Sequence, residues 1–308
     1  MSTSMKIGYY PGCSAKGSSL DYELSSNEVC RILGIVSSEI DQWNCCGSTP
    51  AHAVSTELSA ALCTRNLVQA TKQGADVVMT PCPSCLSNLL HAKERMKNPD
   101  FKKRVDELLD EPSPENLPDA TSVMQMIGKL CSAEDIKKHV RLSLAGIRIA
   151  PYYGCLMSRP ADLMNFGDPE NPTLMEELLT ACGADSIIDF PLKTECCGAS
   201  AGIPHRPLTS VNSGRILDVA TKMEADCIVV CCPLCQMNLD LRQKQAERQA
   251  NARFRIPVLY YTQLMGLAFG CDPKTLGLGK LIVSADRIVD RIQALNTARM
   301  EAKGGDAA

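Results

Sequence analysis

The chain has 308 residues, enough for one large or two modest domains, and its 45% hydrophobic content allows a real core. A formal charge of −3 without a long basic or acidic run, together with 4% aromatics, excludes a nucleic-acid surface built on charge or base stacking. Seventeen cysteines are the outlier in a chain too long to need a disulfide scaffold.

Met1 to Gly12 holds no apolar stretch of signal-peptide length, and no window of about twenty apolar residues suits a membrane span. The expected setting is the cytoplasm, where thiols stay reduced and clustered thiols serve metal or redox chemistry. In chain order, a β-like run over Lys6–Tyr10 precedes Cys13, and Val36–Ile40 precedes Cys45. A helical pattern covers Glu57–Gln73, and Val77–Thr80 precedes Cys82. The Pro-rich connector EPSPENLP (111–118) leads to a short helix over Val123–Leu130 and a second, Ala133–Val140, capped by Ser132. Next come Ile147–Ala150 before Cys155, Ile187–Phe190 before Cys196, a helix over Leu208–Met223, and Ile228–Val230 before Cys232. Ile256–Tyr260 leads into a helix from about Thr262 to Phe269. Residues 281–295 read as an amphipathic helix with Ile288, Ile292 and Leu295 on one face, and the tail KGGDAA as disordered.

The two halves repeat. At an offset of 150, residues 70–89 and 220–239 share Ala70, Thr71, Lys72, Ala75, Asp76, Cys82, Pro83, Cys85, Asn88 and Leu89 with their counterparts. Asn44-Cys45-Cys46-Gly47 matches Glu195-Cys196-Cys197-Gly198, and Tyr-Tyr-Pro-Gly-Cys13 matches Tyr-Tyr-Gly-Cys155. The extra residues of the second half fall between Cys155 and Cys196, in the loop Phe166 to Thr173. The expected fold is α/β with two pseudo-symmetric halves, 1–145 and 146–308, the second carrying the C-terminal helix. Each half is a small, mostly parallel sheet with flanking helices, and the cysteines sit at the carboxyl ends of the strands, where such sheets bind ligands.

Each half thus presents five cysteines: Cys13, Cys45, Cys46, Cys82 and Cys85, then Cys155, Cys196, Cys197, Cys232 and Cys235. A lone C-x-x-C is compatible with a redox dithiol or half a zinc site. Structural zinc takes four ligands, each set offers five, and adjacent cysteine side chains diverge, which suits a cluster of several irons better than one ion. A zinc-stabilised scaffold is the competing reading.

These residues resemble the paired cysteine-rich CCG domains of the heterodisulfide reductase B-subunit family, and the ending IPVLYYTQLMGLAFGCDPKTLGL extends the similarity beyond the metal motif. The resemblance implies two noncubane [4Fe–4S] clusters, one on each set of five cysteines, facing each other across a cleft between the halves. A disulfide substrate lying between them would be reduced to two thiols, or formed in reverse, by one-electron steps. The chain lacks a ferredoxin cysteine run and a dinucleotide glycine motif, so electrons must come from partners. In the family these are a small ferredoxin-like iron–sulfur subunit and a flavin-bearing subunit of the reductase complex. An electron-transfer subunit of a lactate, glycolate or succinate–quinone oxidoreductase is the alternative. The methanogen form of the family carries a His directly after the cysteine matching Cys155, where this chain has Leu156.

His52 and His205, in the loops after the double cysteines, are candidate proton donors, and Lys193 and Arg206 candidate binders of an anionic substrate. Ordinary surface roles compete for all four. Cys231 faces Pro81 in the repeat, against a ligand role, and Cys30, Cys63, Cys131, Cys182, Cys227 and Cys271 read as small apolar residues. Asp76 and Asp226 read as turn residues.

Overall fold

Short apolar runs set between helices form two parallel sheets in the computed structural model, which describes residues 5–48, 50–202 and 204–305. The first sheet has the order β2-β1-β3-β4, with β1 (Ile7–Tyr9), β2 (Ser37–Glu39), β3 (Val77–Thr80) and β4 (Asp119–Ser122). The second has the order β5-β6-β7, from β5 (Ile149–Tyr152), β6 (Cys227–Val230) and β7 (Val258–Tyr260). All pairings are parallel.

The run expected as a strand at Ile187–Phe190 is reduced to a single bridge, Ile149 to Ile187, at the position that β2 holds in the first half. Conversely, β4 has no counterpart in the sequence expectations. It is a polar edge strand, Asp-Ala-Thr-Ser, and Ser122 serves both as its last residue and as the N-cap of the next helix. Asp76 and Asp226 do more than shape turns. Their carboxylates accept the backbone N–H groups of Lys6 and Arg148 at 2.7 and 2.8 Å, fixing the starts of β1 and β5 alike.

The labelled helices are α1 (Leu20–Ile32), α2 (Thr56–Lys72), α3 (Pro83–Arg95), α4 (Val123–Leu130), α5 (Ala133–His139), α6 (Ala161–Met164), α7 (Leu174–Ala181), α8 (Arg206–Lys222), α9 (Tyr261–Ala268) and α10 (Asp286–Gly305). The helices closing each repeat cross over: α9 packs on α1 of the first half, and α4 and α5 pack on α7 of the second. One large core therefore contains Tyr9, Tyr22 and Val29 together with Val229, Tyr260 and Leu264, while a smaller one sits under the first cysteine set. A hydrogen bond of 2.7 Å between the buried Ser25 and Thr262 hydroxyls joins α1 to α9.

The C-terminal helix begins at Asp286, later than expected, and runs through Gly305, so the first residues of the tail are helical; residues 306–308 lie outside the described residues. Ile288 and Ile292 are buried, and Asn296 and Arg299 bond the backbone at Ser143 and Ala145. The expected insertion at Phe166 to Thr173 has no regular secondary structure. Among the described residues no helix is long and apolar enough to cross a membrane.

Candidate metal centres

Five of the six cysteine groups follow a strand, and Cys196-Cys197 follows the bridge at Ile187, so the ten gather at the carboxyl edges of the two sheets. The lead cysteine of each set enters through a left-handed glycine. Gly12 (φ +74°) and Gly154 (φ +68°) leave room for the sulfur of the last cysteine. A Cβ there would stand 3.0 Å from Cys85 Sγ and 2.8 Å from Cys235 Sγ. Tyr10 Oη donates to the Asn44 carbonyl at 2.8 Å, and Tyr152 Oη to that of Glu195 at 2.6 Å, fixing the residue before each double cysteine.

The two members of each double cysteine point different ways. Cys45 is exposed, with its sulfur 3.9 Å from Cys13 Sγ, whereas Cys46 is buried, 3.3 Å from Cys85 Sγ. Likewise Cys196 is exposed, while Cys197 turns inward to Cys235 at 3.6 Å. Among the described residues no three metal-binding side chains close around one point as on a single ion. The CCG glycine amides, Gly47 and Gly198, stand 3.4 Å from the sulfurs of Cys45 and Cys196. The inner cysteine is tied down by its carbonyl, which accepts from Asn88 (3.2 Å) and Cys63 (3.2 Å) in the first half, and from Asn238 (3.4 Å) and Ser213 (3.2 Å) in the second. Cys63 is therefore a hydrogen-bond donor as well as a small buried residue.

Proton sharing divides the thiols into donors and acceptors. Hydrogen bonds from Cys45 and Cys85 pull Cys46 down to about 3, and one from Cys155 pulls Cys196 down to about 6. Cys82 is lowered by Cys85, and Cys197 by Cys235 and by Asn238. Their donors Cys45, Cys85, Cys155 and Cys235 move up in turn. Each set thus holds thiols poised to bind as thiolates, the form that ligates metal. The second set differs in a further respect. The helix after Cys235 opens into a π turn at Met237–Leu241, and from it Asn238 Nδ2 reaches the sulfur of Cys197 at 3.4 Å.

A cavity of about 270 Å³ lies between the halves. Ser48 and Ser84, neighbours of first-set cysteines, meet Leu156, the neighbour of Cys155, on its walls, and His52, His91 and Arg95 add polar side chains to the lining. His91 Nδ1 faces the Ser87 carbonyl at 2.8 Å, so that nitrogen carries the proton and Nε2 is the atom left for a ligand. A larger cavity, about 640 Å³, is lined by residues 243–255 and 282–283 and contains no cysteine.

The cysteine-rich CCG domain family matches twice, over residues 7–90 and 149–240. The chain belongs to this family. With the domain paired, it is a member of the group that includes the B subunits of heterodisulfide reductases. It is 31% identical to the 8-methylmenaquinol:fumarate reductase membrane anchor subunit of Wolinella succinogenes, over 92% of this chain and 99% of that protein. It is 29% identical to the ferredoxin:CoB-CoM heterodisulfide reductase B subunit of Methanosarcina mazei, over 89% of this chain and 92% of that one. A protein of Archaeoglobus profundus described as like the heterodisulfide reductase B subunit is also 29% identical, with 94% and 98% covered. A hypothetical protein from Helicobacter pylori shares the fold, with a TM-score of 0.72 at 12% identity, over 91% of this chain and 52% of that one.

Paired CCG domains and these relatives point to iron–sulfur clusters as the bound group and to electron transfer as its use. The donor set fits. Divergent neighbouring thiols, amides aimed at sulfur and a fully buried Tyr260 hydroxyl without a partner all suit a sulfur-rich group larger than one ion.

Of the other sequence candidates, His52 is exposed and lines the cavity between the CCG domains. His205 and Arg206 are exposed at the start of α8 and do not line it. Lys193 must be reassigned. It is only 8% exposed, and its ammonium is held by the Pro172 carbonyl at 2.8 Å and Glu176 at 3.0 Å, leaving it no reach to a substrate. His91 went unnoticed in sequence because it lies beyond the cysteine motif, on α3, and only the approach of the Leu156 loop places it in a site.

Proposed function

We propose that this chain is the catalytic iron–sulfur subunit of a heterodisulfide-reductase-like complex, reducing a disulfide to two thiols between two noncubane [4Fe–4S] clusters. The observation that carries the reading is the cavity walled by neighbours of both cysteine sets, Ser48 and Ser84 from one and Leu156 from the other. The proposed ligands are Cys13, Cys45, Cys46, Cys82 and Cys85 in a domain over 1–145, and Cys155, Cys196, Cys197, Cys232 and Cys235 in a domain over 146–308.

Bound there, the clusters supply the two electrons that cleaving a disulfide consumes. The chain's own residues do the rest. Arg95 and the serines orient the substrate, and Leu156 and Pro160 exclude water from one wall. His91, held through Nδ1–H, takes up a solvent proton at Nε2 and, like His52, passes it to a departing thiolate. Electrons enter from the ferredoxin-like iron–sulfur subunit and the flavin-bearing subunit of the complex, at the exposed edges marked by Cys13, Cys45 and Cys196. The compartment proposed is the cytoplasm. Reduced viologen and a panel of disulfides test the reading: turnover by the fully loaded chain is expected, and loaded protein without turnover overturns it. Removing the inner imidazole with His91→Ala is expected to lower kcat on the order of tenfold to a hundredfold with cluster content unchanged.

The identity to the Wolinella succinogenes anchor subunit favours a second reading, in which the clusters only pass electrons within a quinol-linked reductase. Oxidation of a reduced quinone analogue by the loaded chain, with no disulfide turnover, selects it.

A further inference from the structure

Tyr260 ends β7, and its ring stacks on Tyr22 of α1 with centroids 4.0 Å apart and planes within 2°. Tyr22 Oη is satisfied, donating to the Cys231 carbonyl at 3.2 Å. Tyr260 Oη is not: the residue is completely buried, and its hydroxyl has no hydrogen-bond partner among the described residues. Ser19 stands beside it, but no hydrogen bond of acceptable geometry joins the two hydroxyls. An unpaired buried hydroxyl destabilises the fold, and a phenylalanine would keep the stack without that cost. The oxygen therefore calls for an acceptor that the folded protein chain does not supply.

Its surroundings say which. Tyr260 pairs with Val230 of β6, two residues before Cys232, and its stacking partner Tyr22 bonds the carbonyl of Cys231, so the phenol lies beside the second cysteine set. At neutral pH a tyrosine phenol stays O–H, so the group can donate to an anionic sulfur. The acceptors a sulfur-rich site offers are cysteine thiolate and inorganic sulfide, and hydrogen bonds to these sulfurs set the potential of an iron–sulfur group.

We infer that Tyr260 is a positioning residue for electron transfer, its O–H donating to a sulfur of the iron–sulfur group held beside Cys232. The inference rests on the reading that both cysteine sets hold clusters. A donor to sulfur favours the reduced, more negative state, so it raises the potential.

The test uses the full chain with its clusters assembled. Iron and sulfide content reports on the cluster reading alone, while potentials and proton couplings report on Tyr260. Tyr260→Phe is expected to keep metal content, move one midpoint potential to a more negative value, and remove one exchangeable-proton hyperfine coupling from the reduced cluster. Tyr22→Phe, which loses only a bond to a carbonyl, is expected to keep that coupling. Full metal content with unchanged potentials and coupling in Tyr260→Phe overturns the inference. Should that variant fail to load, 3-fluorotyrosine at position 260 keeps the shape and sharpens the donor. A more positive potential then supports the inference, and an unchanged one overturns it.

Discussion

At the scale of single residues, the two sites rest on glycines and buried polar groups whose roles repeat across the halves. Gly154→Ala adds a Cβ 2.8 Å from Cys235 Sγ at φ +68°, displacing that sulfur and straining the backbone together. Iron per chain is expected to fall by about half, from loss of the second site alone. Gly34→Ala (φ +71°), where nothing lies within 4 Å, shares the strain without the collision and is expected to keep full iron. Asp21 offers a test on stability. Burial raises its carboxyl from 3.8 to about 6. A carboxyl raised on folding binds protons more tightly in the native state, so its contribution is lost as pH rises from about 4 to about 6. The shift corresponds to roughly 3 kcal/mol, and Asp21→Asn is expected to recover about 1–3 kcal/mol above pH 6 and little below pH 4. Denaturant melts at several pH values check this, and a benefit independent of pH would count against burial as the cause.

Elements were legible where pattern and position agree. The helices at 123–130 and 133–139 were visible because Ser122 and Ser132 close capping boxes around apolar residues. Central strands such as β3 and β6 are apolar and bracketed by turns, whereas edge strands carry a weaker signal. Thus β4, polar and half-exposed, was missed, and Ile187–Phe190, though apolar, pairs only at Ile187. The ten cysteines were legible because spacing and repetition belong to the sequence. His91 and Tyr260 were not, because each gains its role from contact with the other half. The C-terminal helix holds the second half by a buried edge. Ile292→Ala, at a side chain 1% exposed, is expected to destabilise the chain by about 2–4 kcal/mol, read from the midpoint of denaturant unfolding. A change below about 0.5 kcal/mol would mean that α10 is not part of the cooperative unit.

On the scale of the whole molecule, the crossed packing of α9 on α1 and of α4 and α5 on α7 interlocks the repeats. Residues 1–145 alone would expose Tyr22 and Val29 from the shared core, so that fragment is expected to lack a cooperative transition, while the full chain unfolds in one step. This interlock fixes the two cysteine sets and the cavity between them in one frame. The central claim is that each set of five cysteines holds an iron–sulfur cluster, and iron, sulfide and zinc counted together on the anaerobically assembled chain test it most directly. About eight irons and eight acid-labile sulfides per chain are the expected result, and one or two zinc ions with no sulfide would contradict it.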